Sequence, residues 1–363
     1  MPSILNFFKQ SVLPTYLGVD IGTTSIKVVE VKAGKQRAAE VVNYGFLESS
    51  GYLARANQVL QTSSLKIFEK EVLELLKVIL REMKPRATEV IASIPTFSAF
   101  LTVLDFPAMS PADLQRAMTY QVKQYVPLPL SEIAIDWMKV GEFKDDKGFV
   151  HQQILLISVP QEQIKRYQRI FKMAGLTLKA LEIESLSLAR IFGGIDPTPT
   201  IVVDIGSRST NIAFLEKGLL KFNAQSDFAG ASLTQSLATS LSINPLRAEE
   251  LKKERGIVGT GPNYELSTIM LPFLDAIINE IKKAQYKYVG QFPEAPKLER
   301  MILAGGGANL LGIEKYVERE MNIPVVKGAP FTKFEYQSAI EPLVAELNPI
   351  MSVALGLTLR EFI

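Results

Sequence analysis

The sequence contains no cysteine and a single histidine, His151. Without thiols the chain can form no disulfide, iron–sulfur cluster, zinc–thiolate site or catalytic thiolate. One imidazole also excludes a multi-histidine metal site. The stretch from Phe149 to Ile154 alternates between polar and apolar residues like a surface strand. We therefore interpret His151 as a strand residue rather than as the base of a Ser–His–Asp triad.

An excess of charge of one sign is also missing. The 363 residues include 40 basic and 38 acidic side chains, and no basic run gives electrostatic support for nucleic-acid binding. No apolar stretch reaches the roughly 18 residues of a membrane-spanning helix. The N-terminus lacks the basic start and long apolar core of a secretory signal. These absences predict a cytosolic globular protein.

The first 14 residues have an amphipathic pattern. Their large apolar side chains fall on one helical face, and these are Ile4, Leu5, Phe7, Phe8 and Val12. Such a segment suits contact with a membrane or a partner, but so short a helix with little charge anchors weakly. A short docked or frayed terminus is the alternative that we favour.

The length of 363 residues suggests two domains, because single hydrophobic cores stop growing at roughly 250–300 residues. The best boundary is the glycine- and proline-rich stretch from Gly193 to Pro199. Alternating strand and helix patterns on both sides predict an α/β fold of two lobes with mixed sheets. The predicted division is a tail at 1–14, a first lobe at 15–198 with an inserted unit at about 95–158, and a second lobe at 199–363 with a largely helical insertion at about 242–296.

One short phrase occurs in both halves of the chain. Residues 17–25 read LGVDIGTTS, and residues 202–209 read VVDIGSRS. Each copy is an apolar run followed by aspartate, an apolar residue, glycine and hydroxyl residues, and each continues into a second apolar run. This pattern predicts two hairpins of strand, tight turn and strand, one in each lobe. Two facing hairpins of this kind can hold a polyphosphate between them.

The hairpins contain the residue types that bind phosphate and magnesium. Asp20 and Asp204 follow apolar strands, and phosphate-bound Mg²⁺ prefers carboxylates reached directly or through water. Gly22 and Gly206 let the backbone approach a phosphate. The predicted phosphate contacts are Gly22, Thr23, Thr24, Ser25, Lys27, Gly206, Ser207, Arg208 and Ser209. One such hairpin alone is more often an ordinary turn, and Lys27 alone suits a solvated strand, so the prediction depends on both copies.

A third glycine turn follows the buried strand pattern at Met301 to Leu303. Gly305, Gly306 and Gly307 lead into a helix, and backbone without side chains at the carboxyl end of a strand suits a flat ring or a ribose. The sequence is neither the G-x-G-x-x-G fingerprint nor a P-loop. A triple glycine alone is a weak signal, but with the two hairpins it predicts an adenine-nucleotide site between the lobes.

The order and spacing of these turns resemble the actin-like ATPase superfamily, which includes actin, sugar kinases, heat-shock chaperones and the division protein FtsA. Finer motifs resemble the PilM family of type IV pilus assembly proteins. They are LDFPAMSP at 104–111, the stretch from Gln121 to Leu130, Glu182 to Arg190, and SVALGL at 352–357. The resemblance covers nearly the whole chain. It implies a two-lobed actin-like ATPase fold with RNase H-like lobes and ATP with Mg²⁺ between them.

The resemblance also implies roles for individual residues. Asp20 and Asp204 would hold Mg²⁺, largely through water, and Gly305 to Gly307 would flank the adenosine. Glu249 and Lys252 match the superfamily's ribose and adenine contacts. Their spacing of three residues suits a surface ion pair on a helix equally well, so both interpretations stay open.

A membrane-protein partner follows from the same resemblance. PilM-like proteins are cytoplasmic and bind the short cytoplasmic N-terminal tail of PilN, which implies a protein peripheral to the inner membrane through its partner. The tail would lie near the inserted unit of the first lobe. The candidate contacts are Phe97, Phe106, Gln121, Gln124, Tyr125, Pro127 and Leu128. For each of them the alternative is a place in the core of the inserted unit.

Catalysis has one positional candidate. Glu184 follows a predicted strand and would orient a hydrolytic water, or else it is a carboxylate favoured by a helix N-terminus. We expect any hydrolysis to be slow. The alternative functions are an FtsA-like filament-forming ATPase and a sugar or acetate kinase, for which no catalytic aspartate in a substrate loop is evident. The main prediction is an ATP-binding scaffold of the pilus, or of a related secretion or competence machine.

Overall fold

The structure, a computed structural model, describes residues 14–37, 39–48, 69–126, 128–258 and 264–362. The amphipathic pattern at 1–13 and the partner candidate Pro127 lie outside the described residues. Within them, two large sheets and one small sheet organise the chain. The two large sheets correspond to the two predicted lobes.

The first sheet begins with the first predicted hairpin. Its strands are β1 (Thr15–Ile21), β2 (Ser25–Ala33), β3 (Ala39–Glu48), β4 (Glu89–Ile94), β8 (Thr177–Ile183) and β14 (Phe334–Tyr336), in the order β14-β3-β2-β1-β4-β8. β1 runs antiparallel to β2 and parallel to β4, and the register places Asp20 opposite Lys27. The consecutive residues Leu17 to Ile21 are all buried, because packed elements cover both faces of the sheet.

The helices of the first lobe are α1 (Glu69–Met83), α3 (Gln161–Met173) and α4 (Glu184–Phe192). α1 and α3 pack against each other and against strands of the first sheet. α4 follows β8 directly, so its first residue, Glu184, stands at the carboxyl end of a parallel strand. That edge of the sheet is where ligands bind in open α/β folds.

The second sheet repeats the design of the first. Its strands are β9 (Thr200–Ile205), β10 (Thr210–Glu216), β11 (Leu219–Ser226), β12 (Arg300–Ala304) and β13 (Val325–Lys327), in the order β11-β10-β9-β12-β13. β9 runs antiparallel to β10 and parallel to β12, with Asp204 opposite Asn211. Its helices are α5 (Gly230–Leu241), α6 (Pro245–Arg255), α7 (Tyr264–Gln291) and α8 (Ile313–Met321).

A small sheet lies within the first half of the chain. It consists of β5 (Phe100–Pro107), β7 (Val150–Pro160) and β6 (Ile133–Lys144) in that order, and its helix is α2 (Pro111–Tyr125). The Ser110 hydroxyl accepts the Asp113 N–H and caps α2, with Pro111 in the first helical turn. Met118 and Val122 of α2 belong to the apolar core of this small unit.

The end of the chain returns to the first lobe, which corrects the sequence-based division. Residues 199–363 were assigned to the second lobe, but β14 pairs in parallel with β3 of the first sheet. After α9 (Glu341–Ile350), helix α10 (Ser352–Leu359) packs against α4, β1 and β4. All eight residues of α10 are buried. A helix that is apolar on every side must be covered on every side, and α4 and the strands of the first sheet provide that cover.

No single helix in the described part of the chain is long and apolar enough to cross a membrane. One bent pair, Ser338–Ile350 with Ser352–Leu359, meets the criteria of length and composition together, but it turns by 89° at the break. The second member of that pair is α10, whose apolar residues are buried in the protein core.

Candidate functional site

A cleft of about 810 Å³ separates the two lobes. It lies at the ends of β1, β9 and β12, because the carboxyl ends of parallel strands meet at one edge of each sheet. All of the predicted metal, nucleotide and catalytic residues line it. They are Asp20, Gly22, Thr23, Thr24, Ser25, Lys27, Glu184, Asp204, Gly206, Ser207, Arg208, Ser209, Glu249, Lys252, Gly305, Gly306 and Gly307.

The two hairpin turns have the same backbone geometry. The Gly22 N–H donates to the Ser25 carbonyl at 2.9 Å, and the Gly206 N–H donates to the Ser209 carbonyl at 3.0 Å. The repeated phrase therefore folds into two equivalent turns that face one cleft from opposite lobes. The amides and hydroxyls of such turns are suitable donors to phosphate oxygens.

The third glycine turn lies directly against the second hairpin. Gly305 adopts φ +76°, and a Cβ at this position would overlap Asp204 Oδ1 and the Ile205 backbone. A Cβ on Gly307 would overlap the Ile205 side chain. Glycine is required here by close approach as well as by backbone conformation. The turn thus presents bare backbone to the cleft next to a carboxylate.

Asp20 is buried and already has two partners. Its Oδ2 accepts a hydrogen bond from Lys27 Nζ at 2.9 Å, and its Oδ1 accepts one from the Ser93 hydroxyl at 2.8 Å. Burial lowers the pKa of Lys27, but Asp20, with smaller contributions from two further carboxylates, outweighs that effect and leaves the pKa raised. The ammonium therefore stays charged beside Asp20. Lys27 is an ion-paired residue of the cleft rather than a solvated strand residue.

The other two carboxylates of the cleft are held in less favourable surroundings. Burial, opposed by Lys27 and reinforced by Asp20, raises the pKa of Asp204 from 3.8 to about 6. Burial and the charges of Asp20 and Asp204 also raise the pKa of Glu184 well above its ordinary value. One backbone donor, the Thr96 N–H at 3.3 Å from Glu184 Oε2, partly opposes that shift. The cleft thus concentrates three acidic groups around one lysine, and a cation entering it would be attracted.

Direct coordination of a metal by these carboxylates alone does not fit the geometry. Among the residues that the structure describes, no group of three or more acidic or histidine side chains is close enough to hold a metal ion. Mg²⁺ commonly keeps several waters and binds through one or two carboxylates plus substrate phosphates. The arrangement of Asp20, Asp204 and Glu184 suits that mode of binding.

Sequence reasoning missed Asn211, which also lines the cleft. Its side-chain amide donates to the Ser185 hydroxyl at 3.0 Å and to the Thr96 hydroxyl at 3.3 Å. The Ser185 hydroxyl donates in turn to Asn223 Oδ1 at 2.7 Å, which fixes the direction of the network. The signal in the sequence was an amide directly before the apolar strand run from Ile212 to Leu215.

The orientation of this amide leaves one acceptor available. Asn211 is 3% exposed, and no donor among the described residues reaches its Oδ1. A buried polar atom without a partner is expensive, so a donor from the cleft would be stabilised here. Because Asn211 lies opposite Asp204 in the strand register, a water bound to a metal near Asp204 is a suitable donor.

Glu249 and Lys252 form the ion pair that was the second interpretation of their spacing. Lys252 Nζ donates to Glu249 Oε2 at 2.6 Å, to the Thr234 hydroxyl at 2.9 Å and to the Gly230 carbonyl at 3.1 Å. The pair is mostly buried, not solvated, and it lines the cleft. The two interpretations are therefore compatible, because a ligand in the cleft would meet a charged pair that is already fixed in place.

The predicted partner residues do not form a single groove. Phe97 lines the cleft between the lobes, and Phe106 is buried in the core of the small unit. Gln124, Tyr125 and Leu128 are exposed at the end of α2, and Gln121 is partly buried there. The fold of the small unit therefore separates Phe97, Phe106 and Tyr125 from one another.

A small apolar groove of about 150 Å³ lies elsewhere, between the small sheet and the first lobe. Its walls come from β6 and β7 on one side and from β4, β8, α3 and α4 on the other. The lining residues are Ile94, Ala134, Ile135, Asp136, Ile157, Val159, Ile164, Leu181, Glu182, Ile183, Leu186 and Arg360. At one end Glu182 accepts two hydrogen bonds from the Arg190 guanidinium, at 2.7 and 2.6 Å.

Comparison with known proteins adds independent information. The family described as type IV pilus assembly protein PilM matches residues 18–362. The cell division protein FtsA of Enterococcus hirae is 23% identical over 337 residues, which cover 82% of this chain and 74% of that protein. FtsA of Pseudomonas aeruginosa is 22% identical over 283 residues, which cover 69% of this chain and 65% of that protein.

Solved structures show the same fold. A PilM-PilN type IV pilus biogenesis complex aligns with a TM-score of 0.79 at 20% identity, covering 96% of this chain and 98% of that one. MreB5 of Spiroplasma citri bound to ADP aligns with a TM-score of 0.55 at 14% identity, covering 96% of each chain. The predicted two-lobed actin-like fold is therefore confirmed.

Proposed function

This chain belongs to the type IV pilus assembly protein PilM family, and from that premise we propose that it is an ATP-binding scaffold of the pilus inner-membrane assembly complex. In this role it docks the cytoplasmic tail of a PilN-like membrane protein and resides in the cytoplasm, peripheral to the inner membrane through that partner. The observation that carries the proposal is the convergence of three glycine turns, far apart in sequence, on one acidic cleft.

The nucleotide would lie across the cleft. The amides and hydroxyls of the two equivalent turns, near Gly22 and Gly206, face the position of a polyphosphate, and the Gly305 to Gly307 backbone suits the adenosine. Glu249 and Lys252 would contact the ribose and the base. A ligand that touches both hairpins favours a closed arrangement of the lobes.

The acidic cleft fits Mg²⁺ held largely through water. Asp204 and Asp20 would hold it, and the buried acceptor Asn211 Oδ1 would receive a hydrogen bond from one of its waters. When bound, the ion neutralises phosphate charge and polarises the terminal phosphoryl group. Glu184 faces the same space and would orient a water. Burial and the neighbouring carboxylates raise its pKa, which makes the ionised carboxylate a stronger base. We expect any hydrolysis to be slow.

The apolar groove between the small sheet and the first lobe is the better candidate for the partner tail. Ile135, Ile164 and Leu186 are partly exposed along it, so an apolar peptide segment would remove their surface from water. The charged cluster around Glu182 would give such a segment an orientation.

Nucleotide binding is tested by calorimetry on the full chain with ATP, with and without Mg²⁺. We expect saturable Mg²⁺-dependent binding that Asp204→Asn weakens by about tenfold or more, since a charged group aimed at the metal is lost. Asp146→Asn, in the exposed turn between β6 and β7, is the matched control and should bind like the wild type. Equal affinities for all three proteins would overturn the assignment of the site.

Partner docking is tested by fluorescence polarisation with a labelled N-terminal tail peptide of the PilN-like protein from the same organism. Ile164→Glu places a charge in the groove and should weaken binding by about tenfold or more. Tyr125→Ala, on the exposed end of α2, should leave the affinity unchanged. The opposite pattern would return the docking site to residues 121–130, and no binding by the wild type would remove the scaffold proposal.

A further inference from the structure

A buried lysine connects the second lobe to the small sheet. Lys221 lies on β11 and is 3% exposed, and its ammonium donates to Gln153 Oε1 on β7 of the small sheet. The carboxylate oxygen Glu216 Oε2 lies 3.8 Å from Nζ, and the Phe292 ring centroid is 5.4 Å away. The second lobe thus places a charged side chain inside another unit of the molecule.

The small sheet is shaped to receive this ammonium. The pairing of β6 with β7 is interrupted between Lys139 and Gly141, where β6 contains a bulge, and Gly141 then lies opposite Gln153. A Cβ at position 141 would overlap Lys221 Nζ and lie 2.7 Å from Gln153 Oε1. The bulge and the glycine together open the space that the lysine occupies.

Stability alone does not account for a lysine here. Burial lowers the pKa of Lys221, which reflects the unfavourable removal of the ammonium from water. Replacing a buried charged contact by a well-packed apolar residue is often neutral or stabilising. A buried polar contact of defined geometry between two units can instead specify their relative position.

The small sheet is also one wall of the apolar groove. Ile135 and Val159 belong to the small sheet, and Ile183 and Leu186 belong to the first lobe. β11 of the second lobe contacts β5 and β6, and α3 of the first lobe contacts β7, so the small sheet touches both lobes. The groove width therefore depends on how the small sheet sits against the first lobe, and Lys221 ties that sheet to the second lobe.

We propose that Lys221 is a positioning residue that couples the cleft to the groove, so that the nucleotide state sets the affinity for the apolar tail peptide. The proposal rests on the proposed function, because it needs a ligand that brings the lobes together. A change in the angle between the lobes would move β11, and β11 would carry the small sheet with it through Lys221. The groove would then open or narrow against β8 and α4.

The test compares the wild type with Lys221→Met in the full chain. The affinity of the labelled tail peptide is measured without nucleotide, with Mg²⁺·ADP and with Mg²⁺ and a non-hydrolysable ATP analogue. In the wild type we expect the affinities with and without the analogue to differ by about fivefold or more, a typical coupling between two sites. In Lys221→Met that ratio should fall towards one, while each ligand alone binds within about twofold of the wild type.

Two further variants make the test specific. Gly141→Ala displaces the ammonium from the side of the small sheet and should abolish the coupling in the same way. This change also gives an independent result if Lys221→Met folds poorly. Lys217→Met removes an exposed lysine from the turn before β11 and should retain the full coupling. Reciprocity provides an internal check, because the peptide must change nucleotide affinity by the same factor.

Coupling that persists in both Lys221→Met and Gly141→Ala would overturn the proposal, as would a wild type that binds both ligands with no coupling. These results would leave the nucleotide and docking sites intact. A wild type that binds neither ligand would instead contradict the proposed function, and the coupling would fall with it. The two kinds of failure are therefore distinct.

Discussion

At the residue scale, the ionised Asp204 carboxylate lowers the stability of the ligand-free protein and is proposed to bind a cation. It lies at the end of β9 against the glycine turn, where burial holds its pKa near 6. The folded protein thus keeps a carboxylate in a place that disfavours its charge. Residues selected for binding a cation often have this property, because the missing charge balance arrives with the ligand.

The pH dependence of this effect has a definite sign. Folding raises the pKa of Asp204 from 3.8 to about 6. The contribution of this carboxyl to the free energy of unfolding is therefore most favourable below pH 3.8 and is lost as the pH rises through 6. A shift of that size corresponds to roughly 3 kcal/mol. We expect ligand-free Asp204→Asn to be more stable than the wild type at pH 7.5, by an amount of that order.

Chemical denaturation at pH 7.5 and pH 4.5 provides the measurement. The advantage of Asp204→Asn should shrink at the lower pH, where the wild-type carboxyl is protonated and resembles the amide. Asp146→Asn, in the exposed turn between β6 and β7, is the matched control. A variant that is less stable than the wild type at pH 7.5 would contradict the charge argument.

At the scale of elements, β3 and α6 meet across the mouth of the cleft. Glu48 ends β3 in the first lobe, and Lys253 of α6 in the second lobe donates to both of its carboxylate oxygens, at 3.3 and 3.1 Å. Lys253 Nζ also lies 3.9 Å from Glu249 Oε1, so this ion pair is connected to the Glu249–Lys252 pair that lines the cleft. Both ends are about half exposed, and salt should screen the contact.

We expect this pair to slow the release of nucleotide. An exposed ion pair contributes little, so Lys253→Glu should accelerate dissociation of a fluorescent ATP analogue by only about two- to fivefold at low salt. The double exchange, Glu48→Lys with Lys253→Glu, should restore the slower rate. Stopped-flow dissociation at two salt concentrations measures the effect, and an acceleration that survives 1 M salt would point away from electrostatics.

At the scale of the whole molecule, α10 packs against β1, so elements from opposite ends of the described chain are in contact. Gly18 of β1 faces this helix, and a Cβ there would overlap the Ala354 carbonyl and the Thr358 methyl group. On another side of the helix, a Cβ on Gly356 would overlap Ser187 of α4. The helix lies close to β1 and to α4 because a glycine stands at each of these two contacts.

Gly18→Ala should therefore destabilise the protein by about 1–3 kcal/mol, the usual effect of overfilling a packed core. Gly290→Ala is the matched control, because a Cβ on this residue of α7 meets open space. That change should be neutral or stabilise by up to about 1 kcal/mol, since alanine favours helix more than glycine does. Thermal denaturation of both variants is the measurement, and a neutral Gly18→Ala would show that α10 can shift freely.

The fold was largely predictable because its signals are local. The two hairpins, the strand before Gly305 and the helix cap at Ser110 each depend on a few neighbouring residues, and the structure contains all of them. The order of those elements along the chain was enough to predict two lobes and the residues that line the cleft. Their proximity followed because parallel strands bring their carboxyl ends to one edge.

The remaining features depend on contacts between residues far apart in sequence. Nothing near Phe334 shows that it pairs with Ala39, and the separation of Phe97 from Phe106 arises from the packing of the small unit. Asn211 and Lys221 acquire their significance only from partners on other strands. The amino-acid sequence by itself determined the turns, the charges and the glycines of the cleft. The tertiary structure decided which carboxylates lie close together and where the apolar groove opens. The reason is that burial and the proximity of charges arise only when elements far apart in sequence pack together.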